Sequence, residues 1–382
     1  MTASEQPARV YGLDTLRAAA ILLVFMYHYQ VFVSGEATFG WLSTVGWVGV
    51  DLFFVLSGYL IGNQIFAEVR RTNTLHIRRF YARRFLRTLP NFYVVLAAYF
   101  LFPAVMGGKP PPPLWRFLTF TQNIQLPAGT AFTHAWSLCI EEQFYVALPL
   151  TVLLVLPLSR NRSATDAAPA APQFGLTGFA RVMWALIALA IVSAMAWRGW
   201  LWTTYGALVS DPIHGYHSNI YFSSLCRADE LLPGVAVAMI KNFHAEKWLW
   251  LMQRGRGVFV VGVACVAAMF YALLNFYEIP DEGYTFSMTA FGYSLLAMAF
   301  AVLLASALSP RSQLNAWRVP GAAQLAAWSY ALYLSHKAVA YVLRAPMKTY
   351  GIDPKGLLGV LIVSAACLLV GWLLYRLVET PF

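Results

Sequence analysis

The sequence predicts an all-α, polytopic membrane protein of about ten transmembrane helices with both termini on the cytoplasmic side, and three observations carry that expectation. The 382 residues are 59% hydrophobic and only 12% charged, with a mean hydropathy of +0.59, far from the usage of water-soluble domains. Apolar runs long enough to span recur near 16–33, 45–66, 90–106, 137–157, 182–200, 221–240, 257–277, 284–307, 321–343 and 357–375. With the N-terminus inside, 19 Lys and Arg fall on cytoplasmic segments and 6 in or beside outer loops. The net charge of +10 is thus a topology signal before it is a nucleic-acid surface.

Cys139, Cys226, Cys265 and Cys367 all lie in or beside apolar runs without a CxxC pair, so neither a disulfide framework nor a zinc site is suggested. The N-terminal apolar run is too long for a signal-peptide core and reads as a retained first helix.

That first run opens at Asp14 and carries Arg17 at its foot and His28 near its far end. Eleven steps are close to three helical turns, so both side chains share one face about 16 Å apart. An ionisable imidazole in hydrocarbon is costly and usually functional. Hydrogen-bonding between helices is the competing reading. The second run holds Asp51 at about the depth of His28, either as the partner that orients the imidazole or as a brace for a helix end.

The cytoplasmic loop 67–89 contains seven arginines and no lysine. Ile77, Tyr81 and Phe85 form one stripe, which predicts an amphipathic helix in the inner interface. Arg84 and Arg87 share a face, and forked guanidinium donors suit phosphate. Contact with anionic lipid is the alternative. Next come an outer Lys109-to-Pro113 segment, read as a stiff spacer, and a low-complexity loop at 159–180 whose Ser163-to-Pro172 core reads as a flexible linker.

The fourth run starts Trp136-Ser137 and carries Glu141 and Glu142, of which at most one should face the bundle. The outer segment 201–222, rich in Tyr, His, Ser and Asn, reads either as an interfacial aromatic belt or as a sugar-facing surface. Arg227, Asp229 and Glu230 lie inside the sixth run, most simply as a structural ion pair. The ninth run places Ser329 and His336 two turns apart on one face. A two-histidine metal site lacks accompanying ligands at suitable spacing, so no metal is expected.

Taken in order, Arg17-x10-His28, Gly49-Val-Asp51-Leu-Phe-Phe-Val-Leu-Ser-Gly-Tyr59, Arg84-x-x-Arg87-x-x-Pro90, Trp136-Ser-Leu-x-x-Glu141-x-Gln-Phe-Tyr145, Ser329-Tyr-x-x-Tyr-Leu-x-His336 and Glu379-Thr-Pro381 resemble the membrane-bound acyltransferase-3 family. Its members are integral-membrane O-acyltransferases of bacterial surface polysaccharides, lipopolysaccharide, Nod factors and macrolides. The resemblance covers essentially the whole chain. It implies ten core helices, a cytosolic acyl-CoA donor and an essential histidine on the first helix.

The resulting expectation is a single acyltransferase domain over 1–382, with no appended soluble domain, in a bacterial inner membrane. It would move an acyl group, most simply acetyl, from acyl-CoA to a hydroxyl of a glycan or glycosylated acceptor. His28 would act as general base or as an acyl-carrying nucleophile, oriented by Asp51 or Glu141. Ser329 and His336 are further catalytic candidates. Arg17, Arg84 and Arg87, with Arg83 beside them, would hold the donor phosphates. Two rivals use the same residues: a transporter or flippase with His28, Asp51 and His336 as a proton relay, and a non-catalytic lipid- or partner-binding protein.

Overall fold

In hydrocarbon a backbone amide finds no water, so a chain crosses only as helices or as a closed barrel. This chain takes the helical route. The computed structural model describes residues 9–107, 110–158, 173–205 and 213–381. The Ser163-to-Pro172 linker and Lys109 of the expected spacer lie outside the described residues.

The organising helices are α1 Tyr11–Tyr29, α2 Gly49–Thr72, α3 Ile77–Leu101, α4 Trp136–Leu158 and α5 Gln173–Tyr205. They continue with α6 Leu232–Phe243, α7 Gly255–Phe276, α8 Tyr293–Ala307, α9 Ala322–Thr349 and α10 Leu357–Leu374. Among the described residues, seven stretches are long and apolar enough to cross a membrane: Tyr11–Ser34, Trp41–Thr72, Thr133–Pro157, Thr177–Tyr205, Gly255–Phe276, Met288–Ala307 and Leu357–Glu379. The other three expected runs are helical but differ in kind. α3 begins inside the arginine run, α9 carries Lys337, Arg344 and Lys348, and α6 is the short end of a broken segment.

Three local expectations are corrected. The arginine run is not a separate interfacial helix: Ile77 to Leu101 is one continuous helix containing Pro90, whose first turns carry five of the seven arginines, while Arg70 and Arg71 end α2. Tyr81 and Phe85 still share a stripe, stacked at 5.8 Å. The 159–180 loop is shorter than expected, because α5 already begins at Gln173. The 221–240 run is not one helix. A wide π-type stretch Ile213–Tyr221 leads to a short helix Ser224–Arg227, a tight 3-10 turn Ala228–Leu231, and then α6. Irregular backbone at this depth is tolerated because it is enclosed by protein: Arg227, Glu230 and Leu231 are fully buried.

α1 sits at the centre, packed on α2, α8 and α9; α2 in turn packs along α6, and α9 along α10. Apolar helices in lipid gain little by merely meeting, so close backbone approach has to supply the attraction. Glycines permit it here. Gly46 and Gly49 lie against the carbonyls of Leu23 and Ala20 on α1, while Gly58 of α2 and Gly234 of α6 lie against the carbonyls of Leu231 and Val55. At the periphery, Val260 and Tyr271 of α7 and Leu357 and Leu369 of α10 point outward, as lipid-facing surfaces should.

Gly58→Val tests this packing. Its side chain would meet the Leu231 carbonyl, and overpacking of this sort costs about 1–3 kcal/mol. The expected result is a lower unfolding temperature in detergent; unchanged thermal stability would contradict the α2–α6 contact.

Candidate functional site

The site is built from two cavities at different heights in the bundle. The lower one gathers Arg17 from α1, Ser57 from α2, Arg84 and Arg87 from α3, Glu141, Glu142 and Tyr145 from α4, and Ser329, Tyr330 and Tyr333 from α9. Its volume is about 90 Å³. The Arg84 guanidinium lies 4.0 Å over the Tyr145 ring. Glu141 Oε2 accepts from Ser57 Oγ at 2.8 Å and also from the Tyr145 hydroxyl. Tyr330 donates to the Thr88 carbonyl at 2.9 Å, tying α9 to α3. Against this satisfied background, the buried Nε atoms of Arg17 and Arg84 have no hydrogen-bond partner. Buried donors are nearly always paired in a folded protein, and cationic ones cost most when they are not.

The upper cavity, about 380 Å³, contains His28, His134, Trp136, His217, Tyr221 and Lys337. Val50 and Tyr333 line both cavities, so the two meet there. Tyr333 is held firmly in that wall: its hydroxyl donates to the His134 carbonyl at 2.6 Å and lies 2.6 Å from Ser137 Oγ.

The histidines dictate one another's protons. His336 Nδ1 lies 2.9 Å from the Leu332 carbonyl, which only accepts, so Nδ1 carries the hydrogen and Nε2 is left with a lone pair. That lone pair faces His28 Nδ1 at 2.6 Å, so His28 Nδ1 must donate. His28 Nε2 is then a free basic nitrogen beside the upper cavity. The rings lie edge to edge and nearly coplanar, with centres 4.8 Å apart and an 18° tilt, as the hydrogen bond requires, and this fixes the imidazole's orientation. His134 closes the group, 5.3 Å from His336 by ring centres. Its Nε2 lies 3.2 Å from the Leu334 carbonyl, leaving a buried Nδ1 without a partner. Among the described residues no group of three or more His, Cys, Asp or Glu is placed to hold a metal ion.

Several expected roles move. Asp51 does not orient His28. Its carboxylate meets Arg227 Nη2 at 3.1 Å in a fully buried pair, because α2 turns Asp51 toward the broken segment rather than toward α1. Glu141 belongs to the lower cavity, bonded to Ser57 and Tyr145, and not to the histidines. Glu141 and Glu142 both line that cavity, although adjacent residues were expected to diverge, since the cavity subtends a wide arc of α4. Ser329 also lines the lower cavity, with Tyr333 between it and His336, and its hydroxyl bonds the Ala326 carbonyl at 2.9 Å. Arg83 is exposed, about 100° around α3 from Arg84, and lies with Arg70, Arg71 and Arg79 in a separate cleft.

The orienting partner, His336, was recognised without that role, and His134 and Tyr333 were missed. His134 precedes its helix in a 3-10 turn, Thr133–Ala135, so helical phase gave it no direction. Tyr333 stood only as a position in the Ser329-to-His336 motif, with no charge to mark it.

Comparison with known proteins adds a second line. A family model described as an acyltransferase domain matches residues 10–376. Similar proteins include a peptidoglycan O-acetyltransferase of Listeria monocytogenes, 26% identical over 97% of this chain and 55% of its own length. Others are a putative O-acetyltransferase of Staphylococcus aureus, 27% identical over 97% of this chain and 57% of its own, and a putative peptidoglycan O-acetyltransferase of Bacillus subtilis, 28% identical over 97% and 54%. The chain spans about half the length of these relatives.

Asp51→Ala separates a structural ion pair from an orienting carboxylate. Breaking a buried pair typically costs about 3–5 kcal/mol. A clear loss of thermal stability in detergent is expected; full stability with lost activity would return Asp51 to the histidines.

Proposed function

The chain belongs to the acyltransferase-3 family, and from that premise we propose that it is a membrane O-acyltransferase moving an acetyl group from acetyl-CoA, or another short acyl-CoA, to a hydroxyl of a glycan. The observation that carries this reading is the junction at Val50 and Tyr333 between a narrow cavity with unpaired buried guanidinium donors and a wider one with an oriented basic imidazole. The relatives' names support acetyl as the group and peptidoglycan as the acceptor.

In this reading Arg17, Arg84 and Arg87 bind the donor's phosphates by forked, charge-assisted hydrogen bonds. The slender pantetheine arm fills the narrow cavity and brings its thioester past Tyr333. The acceptor occupies the wider cavity, with its hydroxyl against His28 Nε2. His28 takes the hydroxyl proton as the oxygen attacks the thioester carbon. When the tetrahedral intermediate collapses, the C–S bond breaks and His28 returns the proton to the departing CoA sulfur. His336 holds the required tautomer through Leu332. Lys337, at the same cavity, offers positive charge to the developing oxyanion.

In this reading the arginine cavity faces the cytoplasm, where acyl-CoA resides, and the histidine cavity faces outward, an orientation that the positive-inside distribution supports. The chain would then cross a bacterial plasma membrane ten times with both ends inside. The three-turn interval between Arg17 and His28 lets one donor reach across much of the bilayer.

His28→Ala should lower acyl transfer by about 10²–10⁴-fold, the usual span for a general base, with expression and detergent stability retained. His336→Ala should lower kcat by less and leave the donor KM unchanged, because it positions the base without touching substrate. Near-normal turnover by purified His28→Ala would overturn the assignment.

Arg84→Lys and Arg87→Lys keep charge but lose the fork. Acyl-CoA affinity should fall, with each lost charge-assisted bond worth about 1.5–3 kcal/mol. Arg70→Lys and Arg71→Lys, in the other basic cleft, should bind acyl-CoA normally. Equal binding by all four, measured by titration calorimetry in detergent, would leave the arginines as a topology signal.

A further inference from the structure

The histidine cavity does not end at the histidines. A second cleft of about 360 Å³ adjoins it, and four residues, Tyr27, Trp47, His217 and Tyr221, line both. Its wall is a run of rings: Trp47 lies 5.1 Å from Tyr277, and Tyr277 lies 5.2 Å from Tyr284, by ring centres. Tyr284 is stiffened from behind, stacked on buried Tyr216 at 3.7 Å. Trp47, Tyr277 and Tyr284 are almost wholly buried from the outside of the bundle. They are thus unlike the lipid-belt tryptophans Trp41, Trp197 and Trp200, which are 54%, 40% and 59% exposed.

The polar groups of the cleft are few and suited to hydroxyls. Gln30, at the end of α1, contributes a buried side-chain oxygen that has no hydrogen-bond partner. Glu278 sits on the hairpin in which it pairs with Tyr284, outside the spans. It is exposed at the cleft's rim and lines it, and partial burial raises its carboxyl above the ordinary range. Thr44 adds a hydroxyl at the rim.

We propose that this cleft is an extended acceptor subsite that binds further sugar units of a glycan chain whose reacting unit lies at His28. The inference rests on the acyltransferase reading and adds that the acceptor is an oligosaccharide rather than a single sugar. A pyranose ring presents polarised C–H bonds on its faces and hydroxyls on its rim. The former suit the negative faces of aromatic rings, and the latter suit an unpaired amide oxygen and a carboxylate. Continuity with the histidine cavity favours one chain running through both. The cleft is too polar in its Gln30, Thr44 and Glu278 face for a lipid tail, and among the described residues no Lys or Arg lines it to attract a phosphate-rich ligand.

The test is binding of soluble peptidoglycan glycan fragments of one, two and four sugars to the full protein in detergent, without donor, by titration calorimetry. Affinity should rise at least tenfold between one and four sugars. In Gln30→Ala, Glu278→Gln and the cleft-filling Thr44→Trp, that gain should shrink to less than threefold, with thermal unfolding as the check on folding. Length-independent binding, an undiminished gain in all three folded variants, or no binding of any fragment would overturn the subsite. Acyl-CoA hydrolysis by the same preparation, lost in His28→Ala, distinguishes failure of the cleft from failure of the catalytic reading, since hydrolysis needs no glycan.

Discussion

A guanidinium enclosed in a membrane bundle has to be neutralised and hydrogen-bonded, and this constraint separates the parts of the protein that hold it together from the part that does chemistry. Arg198 meets it fully. Its Nε bonds the Ala290 carbonyl at 3.2 Å, and its two terminal nitrogens reach Asp229, Ser294 and the Cys226 carbonyl. Arg227 does the same with Glu230, Asp51 and the Tyr221 carbonyl, beneath the Tyr293 ring at 4.0 Å. These two clusters bind α2, α5 and α8 to the broken segment before α6. Arg17 and Arg84 depart from the rule, each with a buried Nε left over. Anionic partners supplied by a ligand would complete them, which is the physical argument for a donor site there.

The second organising feature is polarity along α1. One helix presents a cation to the lower cavity and an imidazole to the upper, and α9 runs beside it with Ser329, Tyr330, Tyr333 and His336 in the same vertical order. The carbonyl of Leu332, fixed by helix geometry, sets the proton on His336, and His336 sets the proton on His28. The His28 imidazole is therefore oriented by backbone through one intermediary, with no carboxylate in that relay. A neutral relay suits this depth, since a charged orienting group would add a desolvation cost that the pair of imidazoles avoids.

Much of the architecture was legible in the sequence because lipid imposes simple rules. Length and apolarity of the runs, and the bias of Lys and Arg between loops, are properties of single segments. The shared face of Arg17 and His28, and of Arg84 and Arg87, follows from helical phase alone. So does the separation of Arg83 from them, although the arginines had been grouped by proximity in sequence. The continuity of α3 through Pro90 and the early start of α5 were not legible, since composition marks where a chain is apolar and not where it stops being helical.

What the sequence by itself determined, then, is the class of protein, the order of its helices and which residues are too polar to be lipid-facing. Which polar residue meets which was decided only by tertiary structure. Asp51 and His28 lie at similar depth, yet depth leaves rotation about each helix axis open. Close glycine contacts at Gly49 and Gly58 set that rotation, turning Asp51 to Arg227 and leaving His28 to His336, 308 residues away. Pairings of that range depend on how helices rotate against one another, and only the packed bundle contains that information.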